Sequence, residues 1–179
     1  NISDLYVGLG QLDTAMIVLQ KAKTMYIQLN EEFPEAHTRG LASTFLGIGK
    51  LFGIQGQPDS ALVTCRKARV TYYGVNEKSH SWFLPDLAKT LNYIGTFFTE
   101  CEEPDSALAA YRKAILIQTR LSEEYPDAHK PGLAMTLSNI GTVFDDLGQP
   151  DSALAAYRKA IVIYRQMAKV SSDVYLVDL

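Results

Sequence analysis

Apolar residues recur at steps of three and four along most of this chain, which is the spacing of one buried face of an α-helix. Between residues 85 and 101 the apolar positions are Leu87, Leu91, Ile94 and Phe98. The pattern breaks at 102–103, after which Pro104 and Asp105 suit the first turn of a new helix: proline lacks only an N–H that is unpaired there, and an acid favours the positive helix end. This stretch predicts two helices, one over 85–101 and one from Pro104 to about Glu124.

The same two-helix pattern occurs in the rest of the chain. We expect helices at about 1–9 and 12–32, at about 37–55 and 58–77, and at about 131–147 and 151–170. Residues 33–36 and 125–128 form equivalent linkers. The corresponding linker of the second unit, residues 79–86, is rewritten with a different sequence, which carries the only tryptophan. The tail 171–179 resembles that rewritten linker. The chain is therefore predicted to consist of helical hairpins.

A fixed interval of 46 residues relates these hairpins. The segment PDSALAAYRKAI occurs at 104–115 and again, letter for letter, at 150–161; PDSA occurs at 58–61 and the degenerate form LDTA at 12–15. Four copies at one interval indicate an internal repeat. We interpret 1–179 as a single array, an excerpt from a longer one, with units at about 1–37 (partial), 38–83, 84–129 and 130–175 and the start of another at 176–179.

Glycine recurs inside the predicted first helix of three units, at 49, 95 and 141. A glycine within a helix costs about 1 kcal/mol relative to alanine, so its retention at one phase indicates a compensating contact. We expect a close approach of the paired helix, with the backbone at Gly95 lying against Ala107 and Ala114. Gly95→Leu should then force the two helices apart and lower the melting temperature by several degrees.

These positions resemble the tetratricopeptide repeat (TPR) family, which combines large residues, a glycine and an aromatic in the first helix with an alanine and an aromatic in the second. The third and fourth units supply Leu91, Ile94, Gly95, Phe98, Ala107 and Tyr111, and Leu137, Ile140, Gly141, Phe144, Ala153 and Tyr157. The second supplies Phe45, Ile48, Gly49, Phe52 and Ala61, with Cys65 replacing the aromatic, and the first keeps Ile2, Tyr6, Ala15 and Leu19. The resemblance implies an all-α fold, a right-handed α-solenoid of antiparallel helix hairpins.

The interval of 46 residues exceeds the usual TPR length of about 34 residues by roughly three helical turns. Extended units of this kind are similar to the repeats of kinesin light chains. With linkers such as the PDA of 126–128, they are also similar to bacterial arrays that adjoin a caspase-like CHAT protease or an NTPase. That association is implied by the resemblance alone, since no residue of this chain belongs to either catalytic domain.

Composition limits the classes of partner. The net charge is −3, and the adjacent basic pairs at 66–67, 112–113 and 158–159 recur with the repeat without forming a stripe, so neither nucleic acid nor a membrane is a predicted partner. No apolar run approaches the roughly 18 residues needed to span a bilayer. Cys65 and Cys101 occupy different phases of the repeat and form no disulfide framework, which favours a cytoplasmic localisation.

Residues suited to catalysis or metal binding are few. Adjacent acids such as Glu123 and Glu124 point about 100° apart on a helix, so they do not share one site as a catalytic pair must. His37, His80 and His129 have no Cys, His or acid at metal-ligand spacing. The sequence shows neither a nucleophile with its base nor a glycine-rich phosphate loop. We predict no enzyme activity, no metal and no cofactor.

The remaining candidate is the surface of the first helices, which are expected to line the concave face of the solenoid. The residues proposed to bind a peptide or partner domain are Lys50, Lys89, Asn92, Thr96, Ser138, Asn139, Thr142 and Asp145. Asn and Lys at these phases resemble TPR positions that hydrogen-bond a peptide backbone or its acidic groups. No complete clamp of paired Lys and Asn can be assembled, and simple solvation of an exposed face is the alternative interpretation.

The predicted function is therefore a non-catalytic scaffold with a protein or peptide partner. One alternative is an intramolecular sensor or restraint for an effector domain of a larger protein, such as a CHAT-type protease. Another is end-to-end self-association through Ile2, Leu5 and Leu9 at one end and Tyr164 and Met167 at the other, because truncated repeats expose apolar faces. RNA binding is disfavoured by the acidic balance.

Overall fold

The computed structural model describes residues 2–74 and 83–176, without the side chains of 2–3, 34–35 and 170–176. The described residues form eight helices and no strand: α1 (Ile2–Gly8), α2 (Leu12–Glu32), α3 (Pro34–Ile54), α4 (Pro58–Tyr73), α5 (Leu84–Glu100), α6 (Pro104–Glu124), α7 (Pro126–Asp146) and α8 (Pro150–Leu176). Each helix packs against the next one along the chain. The predicted all-α solenoid of helix hairpins is confirmed.

Two of the predicted linkers are shorter than expected. Helix α3 begins at Pro34 and α7 at Pro126, so only Phe33 and Tyr125 lie between helices, and both helices start before the approximate unit boundaries at 38 and 130. Proline suits the first helical position because its missing N–H has no partner there. Pro131, the expected start of α7, instead lies inside that helix.

The later helix ends also differ from the expectations. Helix α4 ends at Tyr73 rather than near residue 77, and α8 continues to Leu176 instead of ending near 170, so most of the tail is helix and not linker. Of the rewritten linker, residues 79–82 lie outside the described part of the chain, while 84–86 already belong to α5. Asp86 lies in the first turn of that helix, where its negative charge interacts favourably with the positive end of the helix dipole.

The two helices of each hairpin are joined by the same tight turn. The N–H of Gly56 donates to the Gly53 carbonyl and that of Gln57 to the Phe52 carbonyl, both at 2.9 Å, which is the Schellman arrangement that satisfies the last carbonyls of a helix. Its left-handed residue is Gly10, Gly56 or Gly148 in three units, with φ between 66° and 73°. In the third unit Glu102 occupies this position, with φ 58°.

Glu102→Gly is expected to raise the free energy of unfolding by about 1 kcal/mol, because the left-handed conformation costs a residue with a Cβ on the order of 1–2 kcal/mol and glycine enters it freely. Thermal unfolding followed by circular dichroism measures the change. Glu103→Gly is the matched control, because Glu103 has a φ of −107° and gains nothing from glycine. A melting temperature that Glu102→Gly leaves unchanged or lowers would contradict a strained turn.

Glycines of the first helices make room for bulky groups of the second helices. A Cβ built on Gly95 would lie 2.5 Å from Cε1 of Tyr111, and one built on Gly141 would lie 2.5 Å from Cε1 of Tyr157. At Gly49 the obstructing atom is Sγ of Cys65, also at 2.5 Å. The close helix approach expected from the sequence is present. The three heavy atoms nearest to a Cβ on Gly95 all belong to the Tyr111 ring, so the tyrosine, rather than the expected Ala107 or Ala114, makes the closest approach.

The residue that replaces the aromatic in the second unit is an inert packing residue. Cys65 is fully buried and, like Cys101, forms no disulfide. Burial raises the pKa of the Cys65 thiol to about 12, because a thiolate would lose its hydration in the core. Its side chain therefore stays neutral and fills the place between α3 and α4 that tyrosine rings take in later units.

Candidate functional site

The first helices of the hairpins lie side by side, with α3 contacting α5 and α5 contacting α7. They share one surface of exposed and half-buried residues, the first-helix face, which consists of Asp4, Ser43, Gly47, Lys50, Lys89, Tyr93, Thr96, Asn139 and Thr142. Solenoids of stacked repeats present extended concave surfaces to their partners. We expect the first-helix face to be that surface.

Tyr93 lies at the centre of the first-helix face. The ammonium group of Lys50 on α3 lies 5.5 Å from the centroid of the Tyr93 ring, within cation–π range. A second support is Phe97, whose ring stacks on Tyr93 with centroids 6.2 Å apart and is itself buried against Gly53 of α3. The half-buried Tyr93 ring is thus held in place by residues of two helices.

Sequence reasoning missed Tyr93. The signal was present, because Tyr93 stands one repeat interval before Asn139, which the sequence did single out. The candidate residues were selected for their Asn and Lys side chains, so a tyrosine at the same position of the repeat was not considered. The aromatic ring is nevertheless the largest side chain on the first-helix face.

Asn92 and Asn139 contact each other across two units. Nδ2 of Asn139 donates to Oδ1 of Asn92 at 3.2 Å, which joins α7 to α5. Asn92 is only 4% exposed. Its carbonyl is therefore engaged between repeats and faces no solvent, whereas Asn139 is half-buried at the edge of the first-helix face.

Of the predicted binding residues that carry a hydroxyl group, Thr96 and Thr142 join two helices, and Ser138 bonds within its own helix. The Tyr111 hydroxyl donates to Oγ1 of Thr96 at 3.2 Å, and Thr142 and Tyr157 form the same contact at 3.3 Å one repeat later. Burial raises the pKa of Tyr111, which keeps its hydroxyl protonated as the donor. Ser138 donates to the Ala134 carbonyl of its own helix at 3.1 Å. These groups hold the two helices of a hairpin in register or bond within one helix.

The charged residues of the first-helix face form weak pairs. Lys50 lies 3.9 Å from Oδ1 of Asp4, and Lys89 lies 4.0 Å from Oδ1 of Asp86 one turn earlier on the same helix. Asp145 is exposed near the C-terminal end of α7. Exposed pairs of this kind contribute at most about 1 kcal/mol, so these charges remain available to a ligand.

Two further classes of site were searched for in the described part of the chain. No cluster of three or more His, Cys, Asp or Glu side chains suited to a metal ion occurs among those residues. None of their helices combines the length and apolar character needed to cross a bilayer.

Antiparallel helix pairs stacked one after another along the chain define the class of helical-repeat α-solenoids. Two models of the tetratricopeptide repeat match this chain, one over residues 86–166 and one over 1–26, and together they cover more than half of it. The chain belongs to the tetratricopeptide repeat family. The resemblance inferred from the sequence is confirmed.

Solved structures share this fold at low sequence identity. BtubC (BKLC) from P. vanneervenii aligns with a TM-score of 0.73 at 19% identity over 93% of this chain, which spans 62% of BtubC. Two structures of a kinesin light chain-like protein with nearly identical TPR-like repeats from Podosopora anserina have TM-scores of 0.67 and 0.63 at 12% identity; they cover 93% and 92% of this chain and 73% and 72% of that protein. No curated protein matches this chain in sequence. The likeness to kinesin light chain-like repeats therefore concerns the fold.

Proposed function

We propose that this chain is a non-catalytic scaffold that binds an extended peptide segment of a partner protein on its first-helix face. The TPR fold is generally non-catalytic and typically mediates protein interactions. The observation that carries the proposal is the arrangement of Lys50, Tyr93 and Asn139 on three successive first helices. The ammonium group contacts the ring, and Asn139 contacts the neighbour of Tyr93 in the chain.

Each of these groups suits a different part of a peptide. The Tyr93 ring offers a flat apolar surface and a hydroxyl, a combination enriched in protein interfaces. The half-buried Asn139 amide is able to pair with a backbone carbonyl or N–H. An acidic peptide side chain is able to replace Asp4 at Lys50, because that pair is long and its two side chains are 37% and 60% exposed. The three groups together favour an extended segment that contains an acid.

The site is also held in its binding geometry. The Phe97 ring stacks on Tyr93, and the hydrogen bond to Asn92 fixes the Asn139 side chain. Side chains ordered before binding lose less conformational entropy when a ligand arrives, which raises affinity. Asn92 therefore acts as a support for the site rather than as a ligand-binding group.

Selection from a random peptide library displayed on phage tests the proposal. Enriched peptides are synthesised with a fluorophore and titrated into the wild-type chain and into the variant Lys50→Ala/Tyr93→Ala, which spares the buried Asn92. We expect the variant to bind at least about tenfold more weakly, as is usual when a central aromatic contact is removed. The matched control is Lys23→Ala/Tyr73→Ala on α2 and α4, outside the first-helix face, which should bind like the wild type. Equal affinity of the two variants would overturn the proposal.

End-to-end association is a second candidate, supported by one internal comparison. Leu154 on α8 is 47% exposed, whereas its equivalents Leu62 and Leu108 are 6% and 7% exposed because the following hairpin covers them. At the same end as Leu154, Tyr164 is exposed and Met167 is half-buried. At the other end Leu5 and Leu9 are exposed, and the side chain of Ile2 lies outside the described part of the chain. Light scattering over a concentration series, with wild type and Leu154→Glu, measures association. Molar masses that are monomeric at every concentration would exclude it.

A further inference from the structure

Charges are segregated along the second helices of the hairpins. The ranges 14–30, 60–73, 106–122 and 152–169 contain no Asp or Glu and hold twelve of the 17 Lys and Arg residues of the chain. The acids lie instead at the helix ends, on the first helices and in the connecting segments. The net charge of −3 therefore includes four second-helix segments whose charged side chains are all basic.

Exposed aliphatic side chains lie on the same surface as these cations. Val63, Val70, Leu116 and Val162 are 53%, 62%, 74% and 52% exposed, and the last three occupy one phase of the repeat. We call this surface the outer band; it consists of Val63, Arg66, Lys67, Val70, Arg112, Lys113, Leu116, Arg158, Lys159 and Val162. Single exposed aliphatic residues are ordinary, but their recurrence at one phase beside basic pairs indicates a shared role.

The outer band contains two equivalent grooves. One, of about 510 Å³, lies between α6 and α8 over α7, and its lining includes Ile115, Leu137 and Val162 together with Arg158 and Lys159. The other, of about 500 Å³, lies on α3 and α4. Its lining residues Phe45, Arg66, Lys67 and Val70 stand two repeat intervals before Leu137, Arg158, Lys159 and Val162. Both grooves thus pair an aliphatic wall with two adjacent cations.

The positive charge of the outer band is not neutralised within the described part of the chain. The ion pairs found there involve Arg39, Lys50 and Lys89, none of which belongs to the band. Arg66 is the partial exception, since its guanidinium lies over the Phe98 ring at 5.1 Å. Clustered like charges favour an anionic partner, because such a partner relieves their mutual repulsion.

We propose that the outer band binds an acidic amphipathic helix of a partner protein. Its apolar side chains would lie in the grooves between second helices, as in helix-in-groove recognition, and its Asp and Glu side chains would pair with the adjacent Arg and Lys. Val63 and Val70 are seven residues apart, two helical turns, which matches the apolar spacing of such a partner. Aliphatic walls disfavour nucleic acid, and a flat lipid surface does not enter a groove between helices.

A synthetic peptide of about 18 residues, roughly 27 Å long as a helix, is a suitable probe. It carries leucine at positions i, i+3, i+4 and i+7, glutamate at the positions that flank this stripe on both sides and a fluorophore for anisotropy. A scrambled peptide of the same composition without helical periodicity is the control. We expect the patterned peptide to bind the full chain at least about tenfold more tightly, and added salt to weaken binding because it screens the charge pairs. Equal binding of both peptides would overturn the proposal.

Charge reversal locates the site. Arg158→Glu/Lys159→Glu alters only exposed residues and should weaken binding of the patterned peptide at least about tenfold, since complementary charges become repulsive. Lys23→Glu/Lys130→Glu makes the same change of net charge outside both the outer band and the first-helix face and should retain binding. Unchanged melting curves show that both variants fold. An equal loss in both would indicate non-specific attraction and overturn the proposal.

Three further measurements would identify a different ligand of the outer band. Binding of phosphatidylserine vesicles or of double-stranded RNA without binding of the patterned peptide would assign the outer band to a membrane or to nucleic acid. Dimerisation of the chain that Arg158→Glu/Lys159→Glu abolishes would assign it to a second copy. Each of these results would overturn the proposal, and none of them bears on the peptide site around Tyr93.

Discussion

Gly95→Ala should lower the free energy of unfolding by about 2 kcal/mol, the typical cost of forcing an extra methyl group into a packed core. The new Cβ would lie 2.5 Å from Cε1 of Tyr111. The ring has little room to move, because it is 2% exposed and its hydroxyl donates to Thr96. The expected loss is a net value, because the higher helix propensity of alanine offsets about 1 kcal/mol of a larger steric cost. Thermal unfolding followed by circular dichroism should show a melting temperature lower by about 4–8 °C.

Two comparisons isolate the steric cause. Gly8→Ala makes the same change where no other heavy atom lies within 4 Å of the new Cβ, so its melting temperature should not fall. In a Tyr111→Ala background the ring is absent, and Gly95→Ala should then cost much less than in the wild type, a coupling typical of residues in contact. Gly95→Leu should cost more than Gly95→Ala. Equal effects of Gly95→Ala in both backgrounds would contradict the contact with Tyr111.

Gln118→Met should raise the free energy of unfolding by about 1–2 kcal/mol, because it removes a buried acceptor without a partner. Gln118 is 4% exposed, and its Oε1 has no hydrogen-bond partner among the described residues. Methionine has a side chain of similar length and no such acceptor. Denaturant unfolding of both proteins measures the difference as a shift in midpoint without a change in slope.

The repeat itself supports this expectation. Tyrosine stands at all three positions equivalent to Gln118, which are 26, 72 and 164. The ring of Tyr26 lies against Gly40, and the hydroxyl of Tyr72 lies 3.2 Å from that of Ser43. Gln118 faces Gly132, the equivalent of Gly40, and so occupies a place that accepts a larger apolar group. Gln28→Met on the exposed surface of α2 is the matched control and should leave stability unchanged. A lower midpoint for Gln118→Met would show that its carbonyl has a partner in solution.

The proposed binding residues show how far phase in a repeat predicts position. Lys50, Lys89, Asn139 and Thr142 were correctly expected to reach the surface, because a residue opposite the apolar stripe of a helix points away from its own hairpin. Asn92 was placed on the surface by the same rule, but α7 covers it. The rule describes one helix and contains no information about the helix of the next unit.

The basic pairs show that a pattern visible in the sequence does not reveal the surface to which its residues belong. Their recurrence at 66–67, 112–113 and 158–159 was visible in the sequence, yet it was read as a consequence of the repeat. Only the packing of α6 and α8 over α7 brings Arg158 and Lys159 beside Ile115 and Leu137, which lie on other helices. A surface built from several repeats requires the distances between repeats, which no residue spacing within one unit specifies.

The sequence by itself determined the helices, their pairing into hairpins and the family, because a 46-residue interval and a three-to-four apolar period are local signals that survive in every unit. The tertiary structure alone decided that Tyr111 fills the space above Gly95, that Glu102 takes the left-handed place of a glycine and that Tyr93 contacts both Lys50 and Phe97. These features depend on the angle and distance at which one helix meets another. Those quantities arise from the packing of many side chains at once, and no single stretch of the chain encodes them.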